Sequence, residues 1–258
     1  MKILLCGCGG RMGMEVARFT DAIGSDDRIV CGADPTKKDF TFPTVASLSR
    51  AELSDEFSAA AECADVIIDF SNRAATRDVV SYAARKKIPT VIGATGQTEG
   101  DMRLIRQAAR EVPIFLSANM STGVAFIAET VRRAAEAFPE ADVEIIETHH
   151  AKKEDAPSGT ALMLADAIAS VRDGARLNLG RRGNEKREKN EICIHSVRMG
   201  GAVGRHEVIF GSYNQTVTVI HEAHSRAMYA DGALRAARFL LTQGVGLYGM
   251  DDMLRSDR

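Results

Sequence analysis

Over the first 120 residues, short and continuously apolar runs alternate with segments of helical period. The runs are Lys2–Cys6, Arg28–Ala33, Val66–Phe70, Pro89–Ile92 and Pro113–Leu116. Between them lie a segment with Met12, Val16, Phe19 and Ile23 on one face, then Ala74–Lys86 and Glu99–Glu111. Strands buried on both faces of a parallel sheet read as unbroken apolar runs, whereas a half-exposed strand alternates. The pattern therefore predicts an α/β protein whose first domain is a Rossmann-type parallel sheet. After Ser121-Thr122-Gly123 an apolar helix runs to about Phe138, and the pattern changes. Asp142–Thr148, Ile192–Arg198, Val203–Gly211 and Thr216–Glu222 alternate, which predicts an α+β domain with an open sheet and one face to bury. That buried face is a candidate oligomer interface. A helix from Arg226, with Leu234, Ala237 and Leu241 on one side, is expected to return to the first domain. The expected division is 1–120 completed by 226–258, and 121–225.

The first strand is followed by Gly7-Cys8-Gly9-Gly10-Arg11-Met12-Gly13, and the second ends at Asp34. Strand, glycine turn, helix, strand and acid is the layout of a dinucleotide-binding βαβ unit. The spacing is G-x-x-G-x-x-G, because Met12 stands where the third glycine of G-x-G-x-x-G would fall. The chemistry is unchanged: a tight turn, close approach of backbone to a pyrophosphate, and close packing of helix on strand. Asp34 suits a ribose diol, while Lys37 and Lys38 suit either a 2′-phosphate or plain solvation. NADH and NADPH are thus both open as cofactors. Ligands of open α/β sheets lie beyond the carboxyl ends of the strands. Here those ends carry Asp69-Phe70-Ser71, Gly93-Ala94-Thr95-Gly96 and Ser117-Ala118-Asn119-Met120. Phe70 also reads as plain core.

Glu147–Ala161 concentrates chemistry most densely. His149, His150, Lys152 and Lys153 follow an alternating run, and Pro157-Ser158-Gly159-Thr160 then opens a helix with Leu162, Ala165, Ile168 and Ala169 on one face. Ser158 is a good N-cap, and Pro157 keeps Ala156 extended. A helix N-terminus attracts anions, so Gly159 and Thr160 with two lysines and two histidines point to a small carboxylate or phosphate ligand.

With a net charge of −2, bulk electrostatics predicts no nucleic-acid and no membrane partner. No secretory signal and no membrane-length apolar run is read, and Cys6, Cys8, Cys31, Cys63 and Cys193 suit reduced core thiols, so the expected location is cytoplasmic. The tract Arg181, Arg182, Lys186, Arg187, Lys189 is interleaved with Glu185 and Glu188 and reads as a mobile, solvated loop. No metal site is expected. His221-Glu222-Ala223-His224 is one residue short of H-E-x-x-H, and its alternating run aims the two rings to opposite faces. His195 and His206 read as structural.

HHAKKEDAPSGTA resembles the H-H-x-x-K-x-D-A-P-S-G-T-A signature of the 4-hydroxy-tetrahydrodipicolinate reductase (dihydrodipicolinate reductase) family, as do GCGGRMG, DFS, GATG and SANMSTGV. Arg205 stands where that family usually carries glutamate, and Arg181–Arg187 lacks an expected second glycine. The resemblance implies an NAD(P)H-dependent reductase of lysine and diaminopimelate biosynthesis, active as a homotetramer on a dicarboxylate. It implies a cofactor site at Gly7, Cys8, Gly9, Gly10, Arg11, Met12, Asp34, Phe70, Gly93, Ala94, Thr95, Ser117, Ala118, Asn119 and Met120. It places His150, Ser158, Gly159 and Thr160 at a substrate carboxylate, and His149 and Lys153 in catalysis. Lys153 is the expected proton donor, with His149 as runner-up. The rival readings are another Rossmann-fold dehydrogenase, for example one acting on a semialdehyde, for which no suitably placed nucleophilic cysteine is found, and a non-catalytic nucleotide sensor.

Overall fold

A computed structural model describes residues 1–36, 39–49 and 55–256, so Lys37 and Lys38 lie outside the described residues. In chain order the elements are β1 (Lys2–Cys6), α1 (Arg11–Ala22), β2 (Arg28–Ala33), β3 (Thr44–Val45), α2 (Asp55–Ala61), β4 (Val66–Asp69), α3 (Thr76–Lys86), β5 (Thr90–Ile92), α4 (Glu99–Ala108) and β6 (Pro113–Leu116). There follow α5 (Thr122–Ala137), β7 (Asp142–His149), α6 (Gly159–Ala169), β8 (Arg176–Asn178), β9 (Glu191–Arg198), β10 (Gly204–Gly211) and β11 (Thr216–Ala223). The chain closes with α7 (Ala227–Leu240), β12 (Gly246–Tyr248) and α8 (Met250–Ser256). Two units result: Met1–Thr122 with Arg226–Arg258, and Gly123–Ser225.

The first unit holds a seven-stranded parallel sheet in the order β12-β6-β5-β4-β1-β2-β3. Strand order reverses between β1 and β4, which opens a crevice at their carboxyl ends. Ile3, Leu4, Leu5, Ile67 and Ile68 are fully buried, as unbroken apolar runs require. Helix α4 starts at a capping box in which Thr98 accepts from Asp101 N–H and the Asp101 carboxylate accepts from Thr98 N–H. The face that α1 buries is not the expected one. Gly13, Val16 and Thr20 are inside, whereas Ile23 is exposed. The glycine decides this, because a Cβ on Gly13 would stand 2.7 Å from Cys8 Cα and closer still to the Gly7 carbonyl oxygen. Helix α1 therefore rests on the glycine turn through its backbone.

The second unit holds a five-stranded mixed sheet, β11-β10-β7-β9-β8. β10 runs antiparallel to β7 and β11, and β9 runs parallel to β7 and β8. Helices α5 and α6 cover one face, packing Ile127, Val131, Leu164 and Ile168 onto Val143, Ile145, Val208 and Phe210. In α6 Ala165 and Ile168 of the expected face are buried, with Ala161 and Leu164 beside them in place of Leu162 and Ala169. On the other face Val197 and Ile220 stay exposed.

The tract expected to be a solvated loop is anchored at two points. Arg181 donates to Glu144 at 2.6 Å and is paired with Glu191, while Arg187 reaches Glu144 at 2.5 Å and Asp142 at 2.7 Å. β8 lies just before this tract. It is three residues long, too short for alternation to register, and the same holds for two-residue β3 and three-residue β12.

Candidate active site

Each of the four strands β9, β7, β10 and β11 is apolar along most of its helix-covered face and turns polar at the same level. In β7 that face reads Val143, Ile145, Glu147, His149. Ser196 of β9 pairs with Glu147, Glu147 with His206 of β10, and His206 with His221 of β11. One step further along, His149 pairs with Arg198. Residues paired directly across a sheet share a face, so registry assembles a row of ionisable groups at the edge of an apolar core.

Glu147 is the node of this row, and its side chain is fully buried. Its carboxylate accepts from Arg198 at 2.9 and 2.7 Å, from His149 Nδ1 at 2.5 Å and from Ser158 N–H at 3.1 Å. Burial alone would raise its pKa. The hydrogen bonds from Arg198, then His149, Ser196 and Ser158 outweigh burial and take it down to about 2. The His149 pKa is lowered, chiefly by burial, against the upward pull of Glu147. His206 is buried and pushed down to about 4 by burial and by the neighbouring His149. Its Nε2 lies 3.1 Å from Ser158 Oγ, and its ring stands edge-on to His149 with centroids 5.2 Å apart. Position 204 has no side chain, and a Cβ there would lie 3.1 Å from His149 Nε2.

This node carries a stability consequence. Glu147 has a folded pKa below its ordinary 4.5, so its contribution is complete above that value and is lost as pH falls toward about 2. A shift of that size corresponds to about 3 kcal/mol. Urea melts of the wild type and Glu147→Gln are expected to differ most near neutral pH, and the gap should narrow by about that amount toward pH ~2. A gap independent of pH would refute the assignment.

Beyond β7 the chain turns through His150, whose carbonyl accepts from Lys153 N–H at 3.0 Å. Lys153 Nζ donates to both carboxylate oxygens of Asp155, at 2.7 and 2.8 Å, and the hydrogen bond from Lys153 draws the Asp155 carboxyl below its usual range. Ala156–Pro157 is cis. Ser158 caps α6 and accepts from Ala161 N–H at 3.2 Å, so Gly159 and Thr160 form the first turn, with open space around Gly159. His149, His150, Lys153, Ser158, Gly159 and Thr160 thus belong to one loop and helix start.

In the first unit, Asp34 is buried and accepts from Gly9 N–H at 2.8 Å and from Thr36 N–H at 2.8 Å. The glycine turn and the acid are therefore tied together before any ligand binds. A cavity of about 210 Å³ opens at the carboxyl ends of β1 and β2 and is lined by Cys6, Ala33, Leu48, Ser71, Asn72 and Asp78 among others. The Phe70 ring, half-buried, packs on Gly93, where a Cβ would stand 2.6 Å from it. Burial pushes the adjoining Asp69 carboxyl up to about 6. Gly7, Gly10, Arg11 and Met12 fall at the β1–α1 turn, Ala94 and Thr95 follow β5, and Ser117, Ala118, Asn119 and Met120 follow β6.

Sequence reasoning missed Glu147 and Arg198 and set His206 aside as structural. The signal was a charged residue on the core phase of an alternating strand, two positions after Ile145. All five cysteines are free, and Cys63 is exposed, unlike the other four. His221, at the β11 end of the row, is half-buried, while His224 is exposed. Among the described residues, ligand atoms of Glu144, Cys193 and His195 lie within 4.8 Å of one another. Glu144 already carries Arg181, Arg187 and His195, so the oxygens of that carboxylate are engaged.

Residues 1–120 match the family profile "Dihydrodipicolinate reductase, N-terminus", and residues 123–254 match "Dihydrodipicolinate reductase, C-terminus". The chain belongs to the dihydrodipicolinate reductase family. It is 41% identical over 257 residues to the 4-hydroxy-tetrahydrodipicolinate reductase of Caldanaerobacter subterraneus subsp. tengcongensis, covering 99% of this chain and 98% of that one. It is 37% identical to that of Clostridium perfringens, with the same coverage. Dipicolinate-bound dihydrodipicolinate reductase from Paenisporosarcina sp. TG-14 shares the fold, with a TM-score of 0.81, 24% identity and 98% of each chain covered. The protein is an NAD(P)H-dependent oxidoreductase of the lysine and diaminopimelate route, with the Rossmann-type unit expected and NADH or NADPH as cofactor. The residues present fit such a dinucleotide: a buried acid tied to a glycine turn, and a cavity beside it. No helix among the described residues is long and apolar enough to cross a membrane.

Proposed function

We propose that the unit Met1–Thr122 with Arg226–Arg258 holds the dinucleotide, and that Gly123–Ser225 holds a cyclic dicarboxylate, 4-hydroxy-tetrahydrodipicolinate. The observation that carries this reading is a single loop that holds the Lys153 ammonium, His149 on the buried Glu147, and the first turn of α6, tied to the same Glu147 through Ser158 N–H. Gly159 and Thr160, with Ser158 and His150, take one carboxylate at the positive end of α6. Gly7 to Met12 face the pyrophosphate, Asp34 the ribose, and the loops after β4, β5 and β6 the rest of the cofactor.

The bound nicotinamide supplies a hydride. Loss of the substrate hydroxyl as water leaves a conjugated cyclic imine. A hydride released from the nicotinamide C–H bond, leaving the ring oxidised, would add to this imine and shift the conjugated electrons onto a substrate carbon as a carbanion or enamine. Lys153 gives its proton to that carbon and becomes an amine, which solvent reprotonates. In the free protein Asp155 holds this ammonium; an incoming dianion competes with that exposed carboxylate. The open sheet face with Val197 and Ile220 supports assembly with further copies as a homotetramer, and the reading places the enzyme in the cytoplasm.

The test is to follow NADH and NADPH oxidation with freshly generated 4-hydroxy-tetrahydrodipicolinate. Turnover with at least one cofactor is expected; oxidation no faster than without substrate would sink the reading. The same rates give the cofactor preference.

A further inference from the structure

Glu147 is a buried carboxylate to which the mechanism above gives no part. An ionised carboxylate has no proton and can only accept. Arg198 gives it two hydrogen bonds and Ser158 N–H a third, so every other neighbour must also donate. The 2.5 Å contact to His149 therefore places a proton on Nδ1. Burial holds the ring below its ordinary pKa and so favours the neutral form, which leaves Nε2 with its lone pair, facing the space that the missing side chain of Gly204 leaves open.

We propose that Glu147 is a positioning residue that locks His149 in the Nδ1–H tautomer, so that Nε2 acts as a hydrogen-bond acceptor and His149 does not supply the proton delivered to the reduced ring. The proposal rests on the reading that substrate binds at this loop. It leaves Lys153 as the donor and gives His149 the task of accepting an N–H or O–H of the substrate or of Lys153. The groups around the ring agree. Arg198 from β9 and Lys153 from the loop oppose a positive imidazole, Glu147 favours one, and neutral His206 from β10 stands edge-on beside it. His221 from β11 is paired with His206 and is also held down by burial.

The test is two-bond ¹H–¹⁵N spectroscopy of histidine-labelled wild-type enzyme near neutral pH, with the His149 signals assigned by their loss in His149→Gln. Protonated Nδ1 and bare Nε2 are expected. In Glu147→Gln, Arg198 claims the amide oxygen and the amide N–H₂ faces Nδ1, which drives the ring proton to Nε2. The kcat of that variant is expected to fall at least ~10-fold, as when a carboxylate that sets a catalytic tautomer is lost, with NADH affinity retained. Glu147→Asp should recover part of the loss. The wild-type kcat should stay level between pH about 6 and 8, because no step uses an imidazolium. An Nε2–H ring or an imidazolium in the wild type overturns the proposal, and so does Glu147→Gln with normal kcat. If Glu147→Gln fails to fold, the wild-type spectrum decides alone. Absence of wild-type turnover would defeat the substrate reading while leaving the tautomer measurable.

Discussion

Lys153→Ala is expected to lower kcat by about 100- to 10,000-fold, the range for loss of a general acid, while NADH affinity stays at its wild-type value. Single-turnover rates and NADH titration check the two halves separately. The ammonium is largely sheltered, fixed by two hydrogen bonds to Asp155, and placed between a histidine loop and the start of α6. Lys153→Arg separates charge from proton supply. A guanidinium keeps the attraction for a dianion but does not release a proton in this pH range, so the arginine variant should restore KM far more than kcat. Full activity in Lys153→Ala would remove the residue from the mechanism.

Gly13→Ala should damage the dinucleotide unit at its glycine turn. The added carbon would lie 2.7 Å from Cys8 Cα, against backbone that has no rotamer to change. Relief requires α1 to move off the glycine turn, and overpacking of this kind costs about 1–3 kcal/mol. For a chain of this size that is a fall in Tm of roughly 2–10 °C. The same movement displaces Gly9 from Asp34, so the NADH Kd should rise at least ~10-fold, equivalent to about 1.4 kcal/mol. Calorimetric titration and a thermal melt test this together. Unchanged values for both would mean that α1 does not depend on the close approach.

The parallel sheet was legible because burial on both faces demands unbroken apolar runs, and five of its strands are of that kind. The signature loop was legible because unlike polar types crowd into a few positions. What stayed hidden was fixed by pairing between distant strands. Nothing local in Arg198 or His206 marks them as neighbours of Glu147; sheet registry makes them so. The basic tract misled for the same reason. Arg181 and Arg187 look solvated next to Arg182 and Lys186, yet their partners Glu144 and Glu191 lie elsewhere in the chain. Helix phase went wrong in α1 because a glycine contributes no hydrophobicity to the pattern while setting which side approaches the strand.

β7 carries Val143 and Ile145 into the apolar layer and, on the same side, Glu147 and His149 into the polar row. A slip of one position would turn the aliphatic pair outward and swing the carboxylate and the imidazole to the opposite surface at once. A single-residue insertion or deletion that shifts the pairing thus costs the apolar layer and the polar row together, so activity reports whether the strand is correctly threaded.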